Sequence, residues 1–468
     1  MINTEGTRKL RLAVVPIFYN LAYFIFGLFS LPLFFQRMKQ AQNPRNLLAN
    51  RLGFFSSSRS TISCAENARE LVWIHAVSVG EVMAVKSFLQ EFSNRFPNCQ
   101  ILLTTVTPTG QNVAKALGIE RIQLAYFPFD FSFSCRRFFS RWKPKCVFLV
   151  ETEIWPNFLI EAEKARVPVG VINARLSEKS AGHYKKAPLL FKPLFERLSF
   201  VLAQTQEDAE RFTCLGVSPD RVEVLGNMKF DNVLTGFEEP LQDSELRQKW
   251  GFDFKDQIWV AGSTHPGEET KLIEIFFDLR REHPSLKMIL APRHIERSLG
   301  LAQRIRRQGL SVLLSSKSAE NPKFDILLLD QLGILKDLYQ LADVVFMGGS
   351  LVKRGGQNPI EPASFRKAIV HGPFVFNFQN IYQTFDREGG ACRVEDAKEL
   401  ASVLRQVLAD ESRRLELGSR AFQLVGRLQG ATQRHLLWIG KFLVTSSQER
   451  MNDVNVPTRL FSPSGGRI

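Results

Sequence analysis

Three carboxylates, Glu81, Glu151 and Glu153, follow short apolar runs that read as buried strands. Leu71 to Ala76 precedes the first, and Lys145 to Val150 precedes the other two. Carboxylates at the rim of a cleft can serve as general bases. Position alone also lets Glu81 complement a helix dipole, because Val82, Val85, Phe88, Leu89, Phe92 and Phe96 predict one helix directly after it. Arg175 and Lys179 lie in another loop of this region, where they can hold an acidic substrate. Phe131 to Lys145 combines Phe and Trp with Arg136, Arg137 and further basic residues. It can lie on a membrane or grip an acyl chain and its phosphate, or it can bury its Phe residues as an ordinary amphipathic helix.

Three further polar loops follow strand-like runs later in the chain. In the first, Ser263, Thr264 and His265 precede a helix predicted over Pro266 to Glu282. Ser263 or Thr264 can cap that helix, and its free N–H groups can hold a phosphate. In the second, Pro292-Arg293-His294, the arginine can pair bidentately with a phosphate or carboxylate. His294 suits a structural hydrogen bond as well as catalysis. The third runs from Gly348, Gly349 and Ser350 to Gly355-Gly356-Gln357-Asn358-Pro359-Ile360-Glu361-Pro362. Its glycines allow close backbone approach to a ligand, and Glu361 in the following helix could face the hydroxyls of a ribose. There is no G-x-G-x-x-G and no G-x-x-x-x-G-K-[ST], which argues against a dinucleotide dehydrogenase and a P-loop ATPase.

These loops need a scaffold. At 468 residues the chain is too long for one core. Strand-like and helix-like runs alternate from Leu71 to about Asn227, then restart at Ile258 after a mixed stretch at Phe230 to Gln257. The fold class is therefore α/β, with two Rossmann-like domains facing a cleft. The expected division is a membrane anchor at 1–40, a first domain at 41–230, a second at 231–445 and a disordered tail at 446–468. Leu12 to Phe35 has no charged residue, is flanked by Arg8, Lys9, Arg11, Arg37 and Lys39, and is long enough to span a bilayer. The formal net charge of +14 suits an anionic partner. The six cysteines form no C-x-x-C pair, so no zinc knuckle or disulfide framework is expected.

Taken in order, these stretches resemble the Kdo (3-deoxy-D-manno-octulosonic acid) transferases of lipopolysaccharide synthesis. The resemblance rests on H-A-V-S-V-G-E (75–81), T-T-V-T-P-T-G (104–110), Y-F-P-F-D (126–130), E-T-E-I-W-P-N (151–157), N-A-R-L-S (173–177), G-N-M-K-F-D (226–231), G-S-T-H-P-G-E-E (262–269), A-P-R-H-I-E-R (291–297) and G-G-Q-N-P-I-E-P (355–362). It implies a glycosyltransferase B fold, CMP-Kdo as donor and a lipid A precursor as acceptor. It implies inversion without a required metal or cofactor, at the cytoplasmic face of the inner membrane, with no nucleic acid partner. Glu81 matches the base, with Glu153 and Glu151 in support. Ser263, Thr264, His265, Pro292, Arg293, His294, Gly348, Gly349, Asn358 and Glu361 match the donor side. Arg136, Arg137, Arg175 and Lys179 are expected on the acceptor side. The family's last motif usually has His where this chain has Gln357, a side chain that cannot be cationic. The alternatives are a nucleotide-sugar epimerase of the same fold and a membrane-anchored, non-catalytic adaptor.

Overall fold

The computed structural model describes Tyr19 and residues 44–55, 70–233, 243–317 and 323–451. Apart from Tyr19, the predicted anchor lies outside the described residues, as does the tail beyond Met451. Among the described residues no helix is long and apolar enough to cross a membrane. The chain folds as two units: unit 1 comprises Met1–Thr235 and Gln429–Ile468, and unit 2 comprises Gly236–Leu428.

Unit 1 is built on β1 (Glu70–His75), β2 (Cys99–Thr105), β3 (Ile122–Tyr126), β4 (Cys146–Val150), β5 (Val169–Ala174), β6 (Phe200–Ala203) and β7 (Val222–Val224), all paired in parallel in the order β3-β2-β1-β4-β5-β6-β7. Parallel sheets are covered on both faces, which is why β1 is a nearly continuous apolar run. Its alternate residues feed two cores. Leu71 and Trp73 pack with Phe138 and Phe158, while Val72 and Ile74 pack with Phe88 and Phe92.

The second of these cores also takes Ala431, Leu436, Ile439 and Leu443 from the helix Ala431–Met451. This corrects two expected boundaries: the chain returns to unit 1 at Gln429 rather than staying in the second domain to residue 445, and its last helix runs past 446, where a tail was expected. His435 fastens that helix to the sheet. Its Nδ1–H donates to the Ala431 carbonyl and its Nε2 accepts the N–H of Asn173. Complete burial keeps the ring neutral and pushes its pKa down to about 4. Between the unfolded value near 6.5 and that value, only the unfolded chain binds the proton. Stability therefore falls as pH drops through this window, by about 3 kcal/mol from this group. Urea unfolding from pH 7 to pH 4 should show this slope, reduced by that amount in His435→Gln.

Unit 2 repeats the plan with β8 (Gln257–Thr264), β9 (Leu286–Pro292), β10 (Val312–Leu314), β11 (Ile326–Leu328), β12 (Val344–Met347), β13 (Ala368–His371) and β14 (Cys392–Arg393), in the order β10-β11-β9-β8-β12-β13-β14. Trp259, Met288, Phe346 and Val370 share one core with Leu272 and Phe276 of the helix Glu269–Glu282. The central reversal of strand order falls between β1 and β4 in unit 1 and between β8 and β12 in unit 2. Ligands of open α/β sheets bind at the carboxyl ends of the strands beside such a reversal.

Candidate active site

In unit 1 the reversal gathers the three carboxylates. Glu81 sits in the first turn of the helix Val79–Ala84, directly after β1. Its Oε2 accepts the N–H of Val77 at 2.7 Å and its Oε1 the Ser78 hydroxyl at 3.3 Å. The carboxylate thus folds back on its own turn, which fixes its direction. Glu151 and Glu153 follow β4, the neighbouring strand. Glu151 holds a left-handed backbone, φ 62°, that a non-glycine residue adopts at some cost. Its Oε1 meets Lys229 Nζ at 2.7 Å. Trp155 Nε1 donates to Glu153 at 2.8 Å.

Burial raises the Glu81 pKa to about 7, with the Glu151 charge adding to the rise and the Val77 N–H, Ser78 and Lys229 opposing it. Burial and the charge of Glu81 raise Glu153 to about 8. At neutral pH the first carboxyl is poised to take a proton while the second stays largely protonated. Arg175 joins this loop cluster through its backbone: its N–H donates to the Glu151 carbonyl at 3.4 Å and its carbonyl accepts the Thr152 hydroxyl.

The other expected acceptor residues lie on two helices of unit 1. Lys179 is exposed on the helix Glu178–Lys185. Arg136 and Arg137 belong to the helix Ser132–Trp142, and none of their contacts among the described residues involves the three carboxylates. Arg136 is held by Glu161 at 3.1 Å, and Arg137 stacks over Phe54 and Phe133. Of the two readings of the aromatic stretch, the amphipathic helix with buried Phe residues holds for Phe138 and Phe139, which pack on Trp73, whereas Phe133 is exposed.

In unit 2 the reversal joins the loops after β8 and β12. Glu268, fully buried, accepts the N–H of His265 and Gly349 on Oε2 and that of Leu351 on Oε1, at 2.9, 2.7 and 3.0 Å. One carboxylate therefore clamps both loops. Their approach explains the glycines. A Cβ on Gly348 would stand 2.5 Å from the Ser263 carbonyl oxygen, and Gly349 has φ 70°.

The helix after β8 starts at Glu269, not at Pro266, and has no side-chain cap. Ser263, φ 55°, and Thr264 lie in the irregular end of β8, too early to cap it. Thr264 is buried with its hydroxyl directed to Glu269 and Ala291, so it builds the loop. Pro292 closes β9, and Arg293 and His294 follow it, both exposed. The charge of Arg293 acts on both His265 and Glu361. Asn358 Nδ2 faces Glu361 Oε1 at 3.5 Å, and burial raises the Glu361 pKa. Gln357 Nε2 lies 3.5 Å from His265 Nε2. The amide donates there, which leaves the ring proton on Nδ1. Burial, with the charges of His294, Arg354 and Arg293, lowers the His265 pKa. Tyr382 donates to the Gln357 carbonyl at 2.8 Å, and its ring packs at a tilt against His371.

Sequence reasoning gave Lys229 no role and did not find the clamp that Glu268 makes. Both lie inside quoted motifs, G-N-M-K-F-D and G-S-T-H-P-G-E-E, but their partners are 78 and 81 or more residues away for the Glu151 and Gly349 contacts.

The sequence model of the family described as 3-Deoxy-D-manno-octulosonic-acid transferase (kdotransferase) matches residues 46–232. The chain is 32% identical to the 3-deoxy-D-manno-octulosonic acid transferase of Haemophilus influenzae, over 84% of this chain and 90% of that protein. It is 33% identical to the enzyme of the same description from Bordetella pertussis, over 78% and 86%. Among solved structures, UDP-GlcNAc 2-epimerase from Neisseria meningitidis superposes with a TM-score of 0.56 at 11% identity, over 80% of this chain and all of that one, a likeness of fold alone. Identity sustained through both units, and not merely the shared architecture, is what places this chain in the 3-deoxy-D-manno-octulosonic acid transferase family of glycosyltransferases.

Proposed function

We propose that this Kdo transferase takes Kdo from CMP-Kdo and attaches it, with inversion, to a sugar hydroxyl of a lipid A precursor, with Glu81 as general base. The observation that carries the reading is the directed Glu81 carboxylate, with a pKa raised to about 7, at the strand reversal of unit 1. In the reaction the acceptor oxygen bonds to the anomeric carbon of Kdo. The bond from that carbon to the CMP phosphate oxygen breaks, and its electron pair leaves with CMP. Glu81 takes the hydroxyl proton, which makes the oxygen a competent nucleophile. Arg293 offers a fork for the CMP phosphate, and Asn358 and Glu361 offer hydrogen bonds to the ribose. Arg175 faces the acidic parts of the acceptor, and no metal or cofactor enters the step. The apolar Leu12 to Phe35, with basic flanks, supports an anchor that holds the enzyme at the cytoplasmic face of the inner membrane.

The test is mass spectrometry of a tetra-acylated lipid A precursor incubated with the protein and CMP-Kdo in detergent. A mass gain of one or more Kdo units supports the reading. An unchanged lipid with released CMP sinks the acceptor, and an unchanged donor sinks the reaction.

Glu268 supplies a second check on the donor side. Glu268→Gln keeps one oxygen and turns an NH2 group toward a backbone N–H. Losing part of this buried clamp should cost about 1–3 kcal/mol. The expected result is a donor KM raised about ten-fold with a smaller change in kcat, as steady-state kinetics would show.

A further inference from the structure

We propose that Asn232 is a positioning residue for this reaction, a wedge that keeps the helix bearing Glu81 separate from the one after it. The inference rests on Glu81 as the base. The helices Val79–Ala84 and Lys86–Arg95 are consecutive, yet the backbone leaves helical geometry at Val85, with φ −102° and ψ 12°. No proline or glycine stands at the break. In an unbroken helix the Ser87 N–H would bond the Met83 carbonyl, four residues back. Here the amide of Asn232 stands between them. Its Oδ1 accepts the Ser87 N–H at 3.0 Å and the Ser87 hydroxyl at 2.8 Å. Its Nδ2 donates to the carbonyls of Met83 at 2.7 Å and Ala84 at 2.8 Å. A side chain inserted into the hydrogen-bond ladder is a recognised cause of a helix break.

The wedge is itself anchored. It belongs to the short turn Met228–Val233, which also carries Lys229. The Met228 N–H donates to Asn173 Oδ1 at the end of β5, at 2.9 Å. Asp231 accepts the N–H groups of Gly430 and Thr432 at the start of the last helix, at 2.7 and 2.6 Å. One turn therefore sets the Glu81 helix through Asn232 and meets Glu151 through Lys229. Without the wedge, the apolar spacing from Val82 to Phe96 favours a single helix, which would re-aim Glu81.

The experiment compares Asn232→Ala and Asn232→Asp with the parent and with Glu81→Gln. Alanine removes the wedge. Aspartate keeps the size and the acceptance from Ser87 but sets an oxygen against two carbonyls. Both variants should lose about 10- to 100-fold in kcat, since small misplacements of reacting groups have effects of this size, with the donor KM unchanged. The rising limb of the pH–rate profile should also move, because the groups that face Glu81 (Glu151, Glu153 and Lys229) would no longer stand in the same relation to it. That limb does not depend on how much folded enzyme is present. Parent-like kcat and limb in both variants would overturn the proposal. So would a loss that matches the folded fraction by near-ultraviolet circular dichroism with the limb unmoved. An active Glu81→Gln would instead sink the base assignment beneath it.

Discussion

Glu81→Gln is expected to lose about a thousand-fold in kcat while binding CMP-Kdo as the parent does, within the range general-base catalysis supplies. The amide is nearly the size of the carboxylate. Its oxygen can still accept the Val77 N–H, and its NH2 can face the Ser78 hydroxyl, so the turn keeps its shape. What disappears is the proton acceptor. The donor loops after β8, β9 and β12 belong to unit 2, which the substitution leaves untouched. The parent's kcat/KM should rise with pH through an apparent pKa near 7, because the base works only when ionised. In the variant that limb should vanish. Removing the Glu81 charge should also let Glu153 ionise at lower pH, since that charge helps hold it up at about 8. Parent-like turnover with a limb at reduced pH would make Glu153 the base. Isothermal titration with donor alone separates lost chemistry from lost binding.

The strands that carry the site were the legible ones. β1 and β4 differ by one residue at an end or two from the runs Leu71–Ala76 and Lys145–Val150 that predict them. These strands are central, buried on both faces, and free of polar interruptions. The strands that went unread are β3, β7, β10, β13 and β14. β3 is half-buried throughout, as I-Q-L-A-Y suggests, and β7, β10 and β14 have only three, three and two residues. The pairing of β3, β7, β10 and β14 comes from neighbours, not from their own pattern, whereas β13 is a buried apolar run that was simply missed. The same division holds at the site. Glu81, Glu151 and Arg293 follow strong strand signals, so their places after β1, β4 and β9 were legible. Lys229, Glu268 and Asn232 act across 78 or more residues, which no local spacing records. The expected single helix from Val82 to Phe96 failed for this reason: the break at Val85 comes from a side chain 145 residues away.

Lys229→Met should show whether the base is tuned by its neighbours or by burial alone. Lys229 and Glu151 form a mostly buried ion pair, with side chains 17% and 20% exposed. Around Glu81 the two act in opposite directions, the lysine favouring the carboxylate and Glu151 the neutral acid. Methionine keeps the aliphatic stem but leaves Glu151 unpaired among carboxyls. Glu81 should then hold its proton to higher pH, and at pH 7 the rate should fall by about 10- to 100-fold, the scale of a broken, partly buried pair. The limb should move to the alkaline side, and part of the rate should return near pH 9. Glu151→Gln should move the limb the other way, below that of the parent. The double variant removes both influences, so the two opposed shifts should largely cancel and bring the limb back toward the parent position. A uniform loss at every pH in Lys229→Met, with the limb unmoved, would mean that the lysine serves the developing charge of the substrate and not the charge of the base.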